Sequence, residues 1–118
     1  MVRQTVLIVD DHAEFRSLAR ALLEADGFEV LGEAADGESA LAAAASLRPE
    51  LVLLDIQLPD VDGFEVAAQL AAWTDPPAVV LTSSRSASSY RRRLAESRVN
   101  GFISKGELSS EALAALVR

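Results

Sequence analysis

The chain has 118 residues, of which half are hydrophobic and a quarter are charged, as in an ordinary globular domain. It contains no cysteine, which excludes disulfides and thiolate metal sites, and no apolar run approaches the ~20 residues that span a bilayer. The net charge of -7 argues against direct nucleic-acid contact by this domain, because phosphate contacts dominate such binding. We expect one domain over residues 1–118, in the cytoplasm and away from membranes.

Five strand patterns alternate with five helix patterns. The strands are short buried apolar runs, and the helices repeat apolar residues at a spacing of three or four, as do Leu18 and Leu22. Gly27 suits the left-handed position that ends a helix. The predicted strands are 5–9, 28–34, 51–55, 78–82 and 101–104, and the predicted helices are 13–25, 38–47, one from Gly63 to about Trp73, 87–97 and a last one capped by Ser109 or Ser110.

This alternation predicts an α/β fold, with a doubly wound parallel sheet between two layers of helices. The second strand contains Glu29 and Glu33, and the fifth strand is short, so both suit sheet edges. The simplest strand order is 2-1-3-4-5, the order of flavodoxin-like folds. Each strand would then deliver its carboxyl end to the same edge of the sheet.

Polar side chains follow four of these strands. Asp10 and Asp11 follow the first, Asp55 ends the third, Thr82 ends the fourth and Lys105, the only lysine in the chain, follows the fifth. Ligands bind at the carboxyl edge of open parallel sheets, so we expect the five side chains to converge there. Two carboxylates about 4 Å apart repel by roughly 4 kcal/mol at an effective dielectric constant near 20. The cluster must therefore recruit a cation or protons, and Mg²⁺ suits oxygen ligands of this kind.

With a cation bound, Asp55 can act as a nucleophile toward phosphorus. The charge of a transferring phosphoryl group spreads over three oxygens, which the cation, the Lys105 ammonium and the Thr82 hydroxyl can share. An enzyme with an aspartyl nucleophile, such as a phosphatase, is an alternative. It would normally have a second acid two residues after the first, where this chain has Gln57.

These residues resemble a known family. The stretches Val9-Asp10-Asp11, Leu53-Leu54-Asp55, 58–63, 81–83 and 101–105 are similar to those of the receiver domains of two-component response regulators. The resemblance implies that Asp55 accepts a phosphoryl group from a histidine kinase or phosphotransfer protein. It also implies that Asp10, Asp11, Asp55 and the backbone carbonyl of Gln57 hold Mg²⁺. The domain would catalyse only its own phosphorylation and dephosphorylation.

The resemblance further implies a conformational switch. Thr82 and Lys105 would sense the phosphoryl group and Phe102 would turn inward, reshaping the face formed by the fourth helix, fifth strand and fifth helix. Gln57 and Ser84 lie two residues beyond Asp55 and Thr82, so we expect them to tune the rate of dephosphorylation.

The segment Asp10-Asp11-His12 with Phe15-Arg16 is similar to receivers of the nitrate-response type, which are attached to helix-turn-helix transcription factors. A free-standing receiver and an interaction module that ignores phosphate remain alternatives. The receiver would dimerise, if at all, through the face named above or through its first and fifth helices.

Several features have simpler explanations. We expect His12 to be a surface residue at a helix start, Asp60 and Asp62 to be turn and cap residues, and the serines at 83, 84, 86, 88 and 89 to form a flexible loop. The chain also departs from the usual receiver pattern in two places. Gly106 stands where a proline commonly follows the lysine, and Phe102 stands where many receivers have tyrosine.

Overall fold

Strands and helices alternate along residues 4–117, the part of the chain that the computed structural model describes. The strands are β1 (Thr5–Val9), β2 (Glu29–Ala34), β3 (Leu51–Asp55), β4 (Ala78–Ser83) and β5 (Gly101–Ser104), and the helices are α1 (Ala13–Ala25), α2 (Gly37–Leu47), α3 (Gly63–Ala71), α4 (Arg91–Glu96) and α5 (Ser110–Leu116). Two short 3₁₀ turns, Ala87–Tyr90 and Lys105–Glu107, lie before α4 and after β5. Residues 1–3 and 118 of the predicted domain lie outside the described residues.

The five strands form one parallel sheet in the order β2-β1-β3-β4-β5, which confirms the predicted fold class and strand order. Alternate side chains of the inner strands enter two apolar layers. Leu7, Val52 and Leu54 pack with α2 and α3 on one face, whereas Ile8 and Leu53 pack with α1 and α5 on the other. Burial on both faces explains why β1, β3 and β4 are continuous apolar runs.

Capping side chains and a glycine mark several of the helix boundaries. Asp36 and Ser109 cap α2 and α5 through backbone N–H groups, and Gly27 has a positive φ of 92° beyond the end of α1. Ser110, the other predicted cap, instead donates a hydrogen bond to the Asp26 side chain. The side chain of Asp62 caps α3, as expected for a cap residue. No helix among the described residues is long and apolar enough to cross a bilayer.

Two local predictions are wrong, and one apolar residue of the first helix does not face the core. Leu18 is 63% exposed, because Ala19 and Leu23 form the face of α1 that meets the sheet. The third helix ends at Ala71, before Trp73, which packs against the core beyond it. The predicted helix over 87–97 is a 3₁₀ turn followed by the six residues of α4.

Candidate functional site

The carboxyl ends of the inner strands meet at one edge of the sheet. Asp55 ends β3 beside Thr82 of β4, its partner in the strand register, and Asp10 follows β1. Lys105 follows β5, and its Nζ lies 2.6 Å from Asp10 Oδ2 and 3.3 Å from Asp55 Oδ2. The structure therefore brings together side chains that are up to 95 positions apart in the sequence, at the edge where the sequence predicted them.

Asp55 is a buried carboxylate with only 2% of its surface exposed. Its Oδ1 accepts a hydrogen bond from the Gln57 backbone N–H at 3.2 Å, and Lys105 donates to Oδ2. Burial raises the pKa of Asp55, and the nearby Asp10 charge raises it further. Lys105 and the Gln57 N–H lower this pKa only in part. The site thus favours neutralisation of Asp55 by a proton or a cation.

Lys105 supplies one of the charges that the carboxylates need. Burial would lower the pKa of its ammonium, but contacts with Asp10 and Asp55 outweigh burial and raise the pKa above its usual value. The ammonium also lies 4.8 Å from the centroid of the Phe15 ring, which favours a cation. Lys105 therefore stays charged at neutral pH.

Asp10, Asp11 and His12 form a tight turn after β1. Asp10 is fully buried, and its Oδ1 accepts a hydrogen bond from the His12 backbone N–H at 2.8 Å. The His12 ring, expected to be a simple surface group, is largely exposed, but its Nδ1 lies 3.0 Å from Asp10 Oδ1 and 3.1 Å from Asp11 Oδ1.

The acidic side chains fit a divalent cation. Ligand atoms of Asp10, Asp11, His12 and Asp55 lie within 4.8 Å of one another. Carboxylate oxygens are the ligands that Mg²⁺ prefers. Burial is the main cause that raises the pKa of Asp55 and the Asp10 charge is the second, so a bound cation would offset both effects. The donor set and its electrostatics therefore match the predicted cofactor.

Thr82 and Phe102 lie on neighbouring strands beside this cluster. The Thr82 hydroxyl is fully buried and has no hydrogen-bond partner among residues 4–117. A buried unpaired hydroxyl is costly, so it is available to a group that arrives at the site. Phe102 is half-buried against the core, and the exposed Ser84 follows β4.

Tyr90 is a buried residue that the sequence analysis missed. Its hydroxyl lies 3.0 Å from the Ser83 Oγ, and its ring centroid lies 6.1 Å from that of Phe64 and 6.0 Å from that of Phe102. Ser83 is accordingly buried, not part of a flexible loop. An available signal was that Tyr90 is the only tyrosine of the chain, within a polar serine- and arginine-rich segment.

Asp60 is a turn residue with a tertiary role. Its carboxylate accepts hydrogen bonds from the backbone N–H groups of Gly37 and Glu38, at 2.8 and 3.0 Å, and so caps α2 from another loop. A surface cavity of about 700 Å³ lies away from this cluster, beside Arg48 and Trp73. It contains none of the predicted site residues.

Comparison with known proteins gives a consistent result. The sequence model of the response regulator receiver domain matches residues 6–118. The chain is 40% identical over 108 residues to the transcription regulator BvgA of Bordetella pertussis, covering 92% of this chain and 52% of BvgA. It is 30% identical over 110 residues to the DNA-binding transcriptional activator EvgA of Escherichia coli, covering 93% and 54% of the two chains.

The fold agrees with solved structures. The signal receiver domain of the response regulator NarL from Mycobacterium tuberculosis superposes with a TM-score of 0.85 at 30% sequence identity, and the match covers 98% of each chain. The chain spans about half the length of the full-length transcription regulators that it matches.

Proposed function

Because the chain belongs to the family of response regulator receiver domains, we propose that it is a signalling switch controlled by phosphorylation of Asp55. The observation that supports this most strongly is the position of Asp55. It is a buried carboxylate of raised pKa at the end of the central strand, and the Lys105 ammonium contacts both Asp55 and the neighbouring Asp10 carboxylate. Receiver domains accept phosphoryl groups and are not general catalysts, so we assign this chain no other reaction.

In the proposed reaction an Asp55 oxygen attacks the phosphorus of a phosphohistidine. A new P–O bond forms while the P–N bond breaks, and the donor imidazole leaves with the bonding electrons. The donor is a histidine kinase or a phosphotransfer protein. The Lys105 ammonium pairs with one phosphoryl oxygen, since it already lies 3.3 Å from Asp55 Oδ2.

Asp10, Asp11, Asp55 and the backbone carbonyl of Gln57 would hold Mg²⁺. When bound, the ion offsets the charge of the carboxylates and of the incoming phosphate. The clustering of the carboxylates within 4.8 Å supports this ligand set. Gln57 follows Asp55 by two positions, and its N–H already holds the Asp55 carboxylate.

The buried Thr82 hydroxyl would bind a phosphoryl oxygen, because it is the unpaired donor nearest Asp55 in the sheet register. Movement of Thr82 would leave space beside β5 for Phe102. Since the Tyr90 ring contacts Phe102, this rearrangement would also displace α4. Thr82, Phe102 and Tyr90 would in this way couple Asp55 to the face formed by α4, β5 and α5.

The side chains of Gln57 and Ser84 would control how water reaches the phosphoryl group. Both residues are exposed, and they follow Asp55 and Thr82 by two positions each. Exchanging them would change the lifetime of the aspartyl phosphate without preventing its formation.

The output is proposed from the relatives. BvgA and EvgA are named as transcription regulators, and this chain covers about half of each. We infer that it serves as the receiver part of a cytoplasmic transcription regulator. Its dimer contacts would be on the α4-β5-α5 face or on α1 and α5, and this domain itself would not contact DNA.

Phosphorylation by acetyl phosphate tests this function. With Mg²⁺ present, we expect intact-mass spectrometry to show one phosphoryl group per wild-type chain and none on Asp55→Ala. Asp60→Ala is the matched control, because Asp60 is an acid of the following loop that caps α2 and should leave labelling unchanged. Full labelling of Asp55→Ala, or labelling that does not need Mg²⁺, would contradict the proposal.

A further inference from the structure

The guanidinium group of Arg16 contacts the backbone of the acidic turn formed by residues 10–12. Arg16 of α1 donates a hydrogen bond from Nη1 to the backbone carbonyl oxygen of Asp10 at 2.6 Å. Its Nε donates to Glu33 Oε1 of β2 at 2.9 Å, and only 18% of the Arg16 side chain is exposed. One side chain therefore ties α1 and β2 to the backbone of the turn.

Glu33 is itself held on both oxygens. Arg20, one helical turn after Arg16, donates to Glu33 Oε2 at 2.8 Å. Hydrogen bonding by Arg20 is the largest cause of the lowered pKa of Glu33; burial, the second cause, opposes it, and the hydrogen bond from Arg16 lowers the pKa further. Glu33 thus remains an anion at neutral pH, and it fixes the Arg16 guanidinium in one orientation.

The hydrogen bond from Arg16 to the Asp10 carbonyl oxygen restrains the orientation of the turn. The Asp10 backbone N–H donates to the Ala34 carbonyl at 3.0 Å, so Arg16 holds the remaining free side of the Asp10 backbone. The peptide plane between Asp10 and Asp11 is fixed as a result. The Asp11 carboxylate is exposed, and its Oδ1 lies 3.1 Å from Nδ1 of the exposed His12 ring. Its direction therefore depends on this peptide plane more than on packing of its own.

We propose that Arg16 is a positioning residue for cation binding, which sets the Asp10–Asp11 peptide so that both carboxylates face Asp55, with Glu33 as its anchor. This inference rests on the proposed function and adds residues to it. Groups that orient ligands without touching the metal typically change affinity by about 10- to 100-fold when removed.

The expected change in cation affinity on removing Arg16 is opposite to the change that the loss of its charge alone would cause. Removing a positive charge near a cation site should strengthen cation binding by Coulomb's law. Loss of orientation should weaken it. A weaker site in the absence of Arg16 would consequently report positioning and not charge.

Arg20 provides the matched control. Arg20→Ala also removes one positive charge and one hydrogen bond to Glu33. The Arg20 side chain bonds Glu33 and Glu24, not Asp10. Arg16→Met serves as a second variant, because it retains the apolar stem of arginine if Arg16→Ala should fail to fold. Each variant keeps residues 1–118, and thermal unfolding checks that each is folded.

The measurement is the Kd for Mn²⁺ from electron paramagnetic resonance, with Mg²⁺ as competitor. We expect Arg16→Ala and Arg16→Met to bind at least about 10-fold more weakly than wild type. Arg20→Ala should stay within about twofold, since partly exposed ion pairs contribute little. Labelling of the Arg16 variants by acetyl phosphate should recover when Mg²⁺ is raised to saturation.

Two results would overturn the inference while leaving the proposed function intact. One is a Kd of the folded Arg16 variants equal to or tighter than that of wild type. The other is an equal loss in the Arg16 and Arg20 variants, which would assign the effect to Glu33. Absence of Mn²⁺ and Mg²⁺ binding by the wild type would instead contradict the proposed cation site as well.

Discussion

At the scale of single residues, Asp55 is a carboxylate whose surroundings disfavour its charged form. Asp55 is buried beside Asp10, and both causes raise its pKa above that of an ordinary aspartate. Folding the metal-free protein at neutral pH therefore carries a free-energy cost at this position. Such costs are typical of functional sites, where stability and activity oppose each other.

Asp55→Asn should stabilise the metal-free protein at pH 7 by about 0.5–2 kcal/mol, because it removes the buried charge and keeps the shape. Below the pKa of an unfolded aspartate, about 3.9, the carboxyl is protonated in both states and the difference should vanish. It should grow as the pH rises through the higher folded pKa. Thermal unfolding between pH 3.5 and 7.5 measures this, and a variant less stable than wild type at pH 7 would contradict the account.

Asp60 is a control of opposite sign. Hydrogen bonds from the Gly37 and Glu38 N–H groups lower its pKa, with the Gly37 bond the largest cause. Asp60→Ala should therefore destabilise the protein near neutral pH, with the difference in stability from wild type diminishing in acid.

Mg²⁺ should raise the Tm of wild type and of Asp60→Ala, but raise that of Asp55→Asn much less.

At the scale of elements, the site depends on how closely α3 approaches the end of β3. A Cβ built on Gly63 would press on the Asp55 carbonyl oxygen and lie 2.7 Å from Ile56 Cα. The Gly63 N–H also donates to the Ile56 carbonyl at 2.8 Å. Since these neighbours are backbone atoms, they cannot move without moving Asp55.

Gly63→Ala should lower the free energy of unfolding by about 1–3 kcal/mol, as expected when a tightly packed position is overfilled. It should also weaken Mn²⁺ binding, because the strand end carrying Asp55 must shift. Gly106→Ala is the matched control, since a Cβ there meets nothing within 4 Å. Equal stability and Kd for the two variants, measured by urea unfolding and metal titration, would argue against this packing role.

The attachment of α4 also belongs to this scale. None of its six residues is fully buried. Leu94 packs partly buried against the core, and the preceding Tyr90 supplies the buried contact. Arg93 adds an ion pair with Asp62 at 2.8 Å and lies 4.2 Å from the Phe64 ring centroid. The helix is therefore held by a few side chains, as suits a segment that moves on switching.

Tyr90→Phe should destabilise the protein by about 0.5–1.5 kcal/mol, the usual contribution of one hydrogen bond. Amide exchange in α4 should become faster, because the hydrogen bond between Tyr90 and Ser83 is lost while the ring stays in place. Ser86→Ala removes an exposed hydroxyl whose hydrogen bond is with the Ser88 hydroxyl, and should have no such effect. Unchanged exchange in Tyr90→Phe would remove Tyr90 from the proposed coupling.

The sequence was informative wherever a local signal decided the structure. The apolar runs before Asp10 and Asp55 predicted buried strands, and the parallel order then placed their polar ends together. It was uninformative where a partner is distant in sequence. Tyr90 is buried because Ser83 and Phe102 lie beside it, and Arg16 depends on Glu33 of a strand 17 positions away. The periodicity of apolar residues does not indicate which distant residues a side chain contacts.

At the scale of the whole molecule, one sheet connects the proposed phosphorylation site to the proposed output face. Lys105 lies directly after β5, so a phosphoryl group that attracts its ammonium acts on the strand beside α4 and α5. Reversing a 1:99 population requires roughly 5.5 kcal/mol. A few charge-assisted hydrogen bonds of about 1.5–3 kcal/mol each can supply that free energy.

Lys105→Ala should still accept a phosphoryl group but lose most of the response. Amide exchange of residues 91–116 should change on phosphorylation of the wild type and change little in the variant at equal phosphate content. Arg92→Ala is the control, because it removes a positive charge from the exposed surface of α4. A full response in Lys105→Ala would show that the signal travels by another route.

The most direct test of the account is to locate the phosphoryl group itself. The protein is phosphorylated with acetyl phosphate and Mg²⁺, the aspartyl phosphate is reduced with borohydride, and peptide mass spectrometry finds the converted residue. We predict conversion of Asp55 to homoserine, with Asp10 and Asp11 unchanged. Conversion at any other acid with Asp55 intact would contradict the central claim.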